Sequence, residues 1–252
     1  MENNSSSSSS PQSPTTFTTD REQATWTILA AIGIVPVAIA GVVFGFVLIL
    51  AVGGNLNARH LSLGALLTAQ LFGYLFLAPY VLFVLRALWR GSFAQLGFTW
   101  PSLRQIGVAL LGAVVMIIVV TLLGQLVQTI LHVHHEQQAV QIFRSIHNPR
   151  LALYFALVVT VAAPITEELT FRVFIFNAAR RFMPLWGSAV VSGALFAVAH
   201  QDPFLMIPLA AGGIILCYVY VRTGNAWMSM ITHACFNGFT LAVLFIAPKS
   251  AF

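Results

Sequence analysis

Long apolar runs fill the chain from about residue 26 to residue 247, and they constrain its fold more than any other feature. Every run except the fifth approaches or exceeds the roughly 20 residues that a helix needs to cross a bilayer. Of the 252 residues, 58% are hydrophobic and only 8% are charged. A soluble domain carries roughly 25% charged residues. The sequence therefore predicts an all-α, polytopic membrane helix bundle of about seven spans.

The predicted spans are joined mostly by short loops. The fifth is short enough to be a re-entrant or tilted helix, and a polar tail rich in serine precedes the first. Such a tail cannot bury enough apolar surface to fold, so we expect it to be disordered. The approximate span bounds are 26–53, 61–85, 106–131, 151–182, 186–200, 203–220 and 226–247.

The net charge of +5 comes from basic residues that stand singly or in pairs between the apolar runs. That distribution is typical of loops beside anionic lipid headgroups and not of a nucleic-acid-binding patch. We therefore expect membrane lipid, and no nucleic acid, among the partners. More basic residues fall on the side of the N-terminal tail, which favours an inner-membrane protein with a cytoplasmic N-terminus. On that side lie Arg21, Arg86, Arg90, Arg104, Arg180, Arg181 and Arg222, against Arg59, Arg144, Arg150 and Lys249 on the other.

Two adjacent acidic residues, Glu167 and Glu168, lie inside the fourth apolar run. An ionisable side chain in a membrane span costs several kcal/mol, so it usually faces the interior of the bundle. Glu168 and Arg172 are four residues apart, the spacing at which helix side chains meet. Glu167 is rotated from Glu168 by about 100°. The pattern predicts that Glu168 pairs with Arg172 and that Glu167 faces a cavity.

Two further spans carry polar groups at a similar depth. His200 ends the fifth span, and the seventh holds His233 and Asn237 one helical turn apart. At about 1.5 Å per residue, these groups and the fourth-span motif lie roughly 12 to 22 Å from the tail-side helix ends. A polar network that only joins helices needs fewer such groups. The sequence therefore predicts one buried functional layer.

The pattern Glu-Glu-x-x-x-Arg, Phe-x-x-x-His and His-x-x-x-Asn resembles that of the CAAX protease and bacteriocin-processing family of intramembrane endopeptidases. The resemblance covers about residues 147 to 247 and implies hydrolysis of peptide bonds in a membrane-associated protein or peptide. The matching residues are Glu167, Glu168, Arg172, Phe196, His200, His233 and Asn237.

The resemblance also implies roles for these residues. Glu167 would act as general base on a water that His200 also holds. His233 and Asn237 would stabilise the developing oxyanion, while Arg172 would fix Glu168. On this basis the chain divides into four parts. They are the tail (1–25), accessory helices and loops (26–146), a catalytic membrane core (147–247) and a C-terminal tail (248–252).

No cofactor is certain from the sequence. Glu167, His200 and His233 could hold a divalent metal such as zinc, because a catalytic zinc needs three protein ligands and a water. The zincin spacing His-Glu-x-x-His is absent, however. A second histidine group, His132, His134 and His135, has no matching ligands nearby, and we interpret it as a loop.

Two other functions fit part of the pattern. Buried Glu and His chains also serve as proton relays, so a proton- or ion-coupled transporter is an alternative. Such transporters often show matching broken helices in two halves, whereas the polar motifs here occupy only the second half. A non-catalytic immunity or scaffold membrane protein is the other alternative.

Overall fold

The computed structural model describes residues 21–52, 62–88, 92–133 and 135–246. Over these residues the chain is helical, with no strand. We number eight helices, of which α5 carries the two glutamates and is called the motif helix. They are α1 Arg21–Ala51, α2 Leu63–Leu88, α3 Leu103–Leu131, α4 Gln138–Ser145, α5 Pro149–Ala179, α6 Leu185–Ala199, α7 Met206–Thr223 and α8 Ala226–Ile246.

Six of these helices are long and apolar enough to cross a membrane, namely α1, α2, α3, α5, α7 and α8. The seventh apolar helix, α6, has 15 residues, or about 22 Å at the α-helical rise. The prediction of an all-α polytopic bundle with a short fifth member is confirmed, and the chain is an integral membrane protein. The cytoplasmic orientation of the N-terminus stays a prediction.

Helix ends differ from the predicted spans by a few residues. α1 begins at Arg21, so residues 21–25 of the predicted tail are helical; the rest of that tail and residues 247–252 lie outside the described residues. α3 begins at Leu103 and not at residue 106, because Ser102 and Gln105 form a capping box. Each of these two side chains binds the other's backbone N–H, which starts the helix earlier than hydropathy indicates.

The first two helices form a tightly packed pair. A Cβ atom on Gly41 would lie 2.5 Å from the Phe72 carbonyl oxygen, so only glycine permits this approach of α1 to α2. α2 also lies along the motif helix in the same direction. Near their starts the Tyr154 hydroxyl is 3.4 Å from that of Thr68, and near their ends Leu85 and Phe176 share one buried cluster. This arrangement brings the accessory half of the chain against the helix that carries the glutamates.

The motif helix is irregular where its function is expected. Two π-helical segments, Val158–Ala162 and Leu169–Phe176, flank a short α-helical turn that contains Pro164 and both glutamates. Proline has no N–H and cannot make the regular backbone hydrogen bond at its position, which disturbs the turn before it. Single π turns within α-helices often occur at functional sites.

Side chains from other helices bind carbonyl oxygens of both π segments. Asn237 of α8 donates an amide hydrogen bond of 2.8 Å to Val159. Ser192 of α6 donates a hydroxyl bond of 2.8 Å to Phe171. The motif helix is thereby held in this shape by the two helices that carry the remaining predicted site residues.

Candidate active site

A buried ion pair lies at the base of the site. The Nε atom of Arg172 is 3.2 Å from Oε2 of Glu168, and both side chains are 0% exposed. The predicted contact between these two residues is therefore confirmed. Their N–H and oxygen directions do not meet hydrogen-bond geometry, so the contact is one of charge. The guanidinium also donates to the Gly213 carbonyl at 3.3 Å and lies 4.5 Å from the centre of the Phe196 ring.

His233 lies between the two glutamates. Its Nδ1 is 3.0 Å from Oε1 of Glu168, and its Nε2 is 3.8 Å from Oε2 of Glu167. Because an ionised carboxylate only accepts hydrogen bonds, Nδ1 carries a proton that it donates to Glu168. This bond fixes the orientation of the ring and points Nε2 at Glu167. The sequence did not predict that one histidine would contact both carboxylates.

The adjacent glutamates have different environments. The Glu168 side chain is 0% exposed and touches Arg172 and His233. The Glu167 side chain is 19% exposed. Burial with charged partners fits a structural role for Glu168, and partial exposure leaves Glu167 able to meet a water or a substrate. This difference in exposure is what the 100° rotation between neighbouring residues predicts.

The Phe196 ring lies against both His200 and His233 and so connects His200 with the same cluster. Nδ1 of His200 is 2.8 Å from the Phe196 carbonyl oxygen, and the His200 ring centre is 4.6 Å from that of Phe196. The Phe196 ring in turn lies 5.6 Å from His233, edge to face. Since a carbonyl only accepts, Nδ1 of His200 carries the proton, and the neutral ring presents Nε2 as an acceptor.

Asn237 lies one turn beyond His233 on α8. One N–H of its amide donates a hydrogen bond to the Val159 carbonyl, so Asn237 also stabilises the motif helix. The sequence predicted that Glu167, His200, His233 and Asn237 face one water-accessible cavity. The structure brings Glu167 and His233 together, while a cavity shared with His200 and Asn237 stays a prediction.

α2 holds two polar residues, Gln70 and Tyr74, that sequence reasoning did not consider. α2 packs against the turn of the motif helix that carries the glutamates. Gln70 and Tyr74 are polar residues at helical spacing inside an apolar span. That spacing was a usable signal, but nothing in a single sequence tells which distant helix they meet.

The proposed metal ligands do not converge. Within the described ranges, no three His, Cys, Asp or Glu side chains are close enough to hold a metal ion. The Nδ1 bonds of His233 and His200 leave both Nε2 atoms available, as is usual for histidines that bind a metal. Only the lack of convergence means that Glu167, His200 and His233 do not fit a preformed zinc site, and we derive no step through a metal.

Among the residues that the structure describes, the second histidine group likewise forms no metal site. His132 takes a left-handed conformation and ends α3, while His134 lies outside the described residues. His135 makes an ion pair of 2.7 Å with Asp202, two residues after His200. These two side chains are 26% and 14% exposed, consistent with the predicted loop.

The part of the chain that carries the predicted site residues is similar to known proteins. Residues 149–239 match the family model of type II CAAX prenyl endopeptidase Rce1-like proteins. This segment contains all six predicted site residues, from Glu167 to Asn237. The motif-bearing part of the chain is therefore similar to the Rce1-like type II CAAX prenyl endopeptidases, and the resemblance drawn from the motifs is confirmed.

Two curated proteins are similar to part of the chain. The "Putative membrane peptidase YdiL" of Bacillus subtilis is 27% identical over 85 residues, which cover 34% of this chain and 35% of the relative. The "Membrane-embedded CAAX protease MroQ" of Staphylococcus aureus is 33% identical over 103 residues, or 38% of this chain and 41% of the relative. The matches thus span well under half of either relative. No solved structure matches the chain.

Proposed function

We propose that this protein is an intramembrane endopeptidase that hydrolyses peptide bonds of a membrane-associated protein or peptide, with a water activated by Glu167. One observation carries the proposal. The half-buried carboxylate of Glu167 lies beside Nε2 of His233. The other ring nitrogen of His233 contacts Glu168, which is buried and paired with Arg172. The family of the motif-bearing segment supports the same activity.

In the proposed reaction, Glu167 removes a proton from a water molecule while the water oxygen bonds to the scissile carbonyl carbon. The carbonyl electrons move to its oxygen and form an oxyanion. The proton held by Glu167 then passes to the leaving nitrogen as the C–N bond breaks. His200, with Nε2 as an acceptor, helps to hold the water.

His233 stabilises the oxyanion through Nε2 in this scheme. Because Nδ1–H is donated to Glu168, Nε2 becomes a donor only when the ring carries both protons. Asn237 contributes its remaining amide N–H and keeps the other on Val159. Arg172 acts indirectly, because it holds Glu168 in place.

The decisive experiment is cleavage of a membrane peptide by the purified protein and by its Glu167→Gln variant. Gln keeps the size and polarity of Glu but cannot accept the proton, so the rate should fall by about 10²- to 10⁴-fold. The control is Glu136→Gln. Glu136 is not among the proposed site residues, and its carboxylate lies 3.1 Å from Arg144. This variant should cleave like wild type. Near-wild-type cleavage by folded Glu167→Gln would contradict the assignment of the base.

A further inference from the structure

The chain leaves His200 through a strained backbone. His200 follows the last residue of α6, and its N–H bonds to the Ala197 carbonyl at 3.1 Å. The next residue, Gln201, has a φ of 54°, in the left-handed region. A residue with a long side chain is disfavoured there and keeps such a conformation only where surrounding contacts impose it. The path of the chain after His200 must therefore be fixed by contacts beyond Gln201.

Asp202 supplies two such contacts, one through each carboxylate oxygen. Oδ1 accepts the backbone N–H of Phe204 at 3.1 Å and so begins the 3₁₀ turn Pro203–Leu205. Oδ2 lies 2.7 Å from Nε2 of His135. An ionised carboxylate only accepts hydrogen bonds, so Nε2 is the donor. The Asp202 side chain is 14% exposed, and both bonds are therefore largely shielded from water.

His135, in the loop between α3 and α4, is itself held by two contacts. Its backbone N–H donates to Oε1 of Gln128, a side chain of α3, at 3.0 Å. Its ring centre lies 4.5 Å from that of Phe204. His135 thus contacts both Asp202 and the residue whose N–H Asp202 accepts. A linkage runs from α3 through His135 to the turn after His200, and it begins outside the family match at 149–239.

The same turn also packs against the aromatic ring beside His200. Leu205, the last residue of the turn, packs on the buried cluster that contains Phe196. The Phe196 ring lies 4.6 Å from His200. A displacement of the turn would therefore reach His200 by two routes, through the backbone of Gln201 and through the Phe196 ring.

We infer that His135 and Asp202 position His200, because together they fix the turn that follows it. Both are positioning residues, since neither touches the water or the substrate in the proposed reaction. The inference rests on the proposed function, in which Nε2 of His200 helps to hold the attacking water. The Nδ1 bond of His200 to Phe196 orients the ring on its own helix, whereas the linkage to His135 fixes the end of that helix.

The test removes the donor and keeps the ring. His135→Phe retains an aromatic ring beside Phe204 but cannot donate to Asp202. Its kcat should fall by about 10- to 100-fold, since misplacement of a reacting group by about 1 Å costs up to about 100-fold. KM should change little, because His135 does not touch the substrate. His135→Gln places an amide N–H donor near the position of Nε2 and should recover most of the kcat.

Glu136→Gln is the matched control. It changes the next residue in the same loop, whose carboxylate lies 3.1 Å from Arg144, and it should keep the wild-type kcat. A His135→Phe kcat within about twofold of wild type would overturn the inference. So would a His135→Gln kcat as low as that of His135→Phe, because the hydrogen bond to Asp202 would then not be what matters.

A double variant tests whether the effect passes through His200. In a His200→Ala background the water has already lost this partner, so His135→Phe should change the residual kcat by no more than about twofold. Effects of the two changes that multiply would show that His135 acts on some other group, and the inference would be wrong.

Hydrogen–deuterium exchange separates this inference from the proposed function. If the wild-type protein cleaves nothing, the proposed function fails, but the linkage can still be measured. His135→Phe should speed exchange of the Gln201 and Phe204 amides, because their turn opens more often without its partner; Glu136→Gln should not. Faster exchange only in His135→Phe would support the linkage. Exchange equal to that of wild type would show that the turn is held without His135, and would refute the inference.

Discussion

The buried pair of Arg172 and Glu168 allows the sharpest test of the structure. Both side chains are fully buried, and removal of one partner from such a pair typically costs about 3–5 kcal/mol, because the other charge stays buried and uncompensated. Arg172→Met should therefore remove a large part of the stability of the protein, which for a typical domain is about 5–15 kcal/mol. Loss of the contact with the Phe196 ring adds to the effect.

The double variant Arg172→Met/Glu168→Met gives the diagnostic result. It removes both charges but leaves Nδ1 of His233 without its acceptor, a loss of about 1–3 kcal/mol. Taking that loss from the cost of the single change, the double variant should recover about 2 kcal/mol relative to Arg172→Met. Both variants should be inactive, so stability is the informative measurement.

Chemical denaturation in detergent micelles, followed by tryptophan fluorescence, measures these differences. Arg144→Met is the control, because its partner Glu136 and Arg144 itself are about a third exposed, and such pairs contribute at most about 1 kcal/mol. If Arg172→Met lowered the stability of the protein no more than Arg144→Met, the pair of Arg172 and Glu168 would not contribute the stability inferred from its burial. A double variant that lost the sum of the two single effects would refute the charge argument.

Two further predictions concern helix packing and metal dependence. Gly41→Ala should destabilise the protein by about 1–3 kcal/mol, since its Cβ would lie 2.5 Å from the Phe72 carbonyl oxygen; Gly107→Ala, with no atom within 4 Å, is the control in the same thermal assay. Cleavage should survive treatment with a chelator, because Glu167, His200 and His233 do not converge on one point. Loss of cleavage that added zinc restores would show that these three side chains approach one another and bind the metal.

The sequence predicted those features that depend on spacing within one helix. The apolar runs located the helices, and the four-residue separation of Glu168 and Arg172 located their contact. Both follow from the geometry of a single helix. The contact of His233 with both carboxylates depends on how α8 packs against the motif helix, and the sequence contains no spacing that reports this packing.

Two other features were missed for related reasons. Pro164 signalled a disturbed turn, but hydropathy cannot tell a π segment from a regular helix, because both expose similar apolar surfaces. Gln70 and Tyr74 were overlooked because polar residues one turn apart are common within spans. Their position near the glutamates depends on the packing of α2 against the motif helix, and the two segments are almost a hundred residues apart in the chain.

The π segments of the motif helix bear on how the protein is made. Membrane helices insert first and associate afterwards, so the motif helix enters the bilayer before Asn237 and Ser192 can reach its carbonyl groups. During that interval nothing outside the helix holds its irregular turns. Glu167 and Glu168 acquire their final directions only when α6 and α8 dock. On the proposed function, a newly inserted chain would be inactive, and activity would arise at the last step of assembly, after the helices have met.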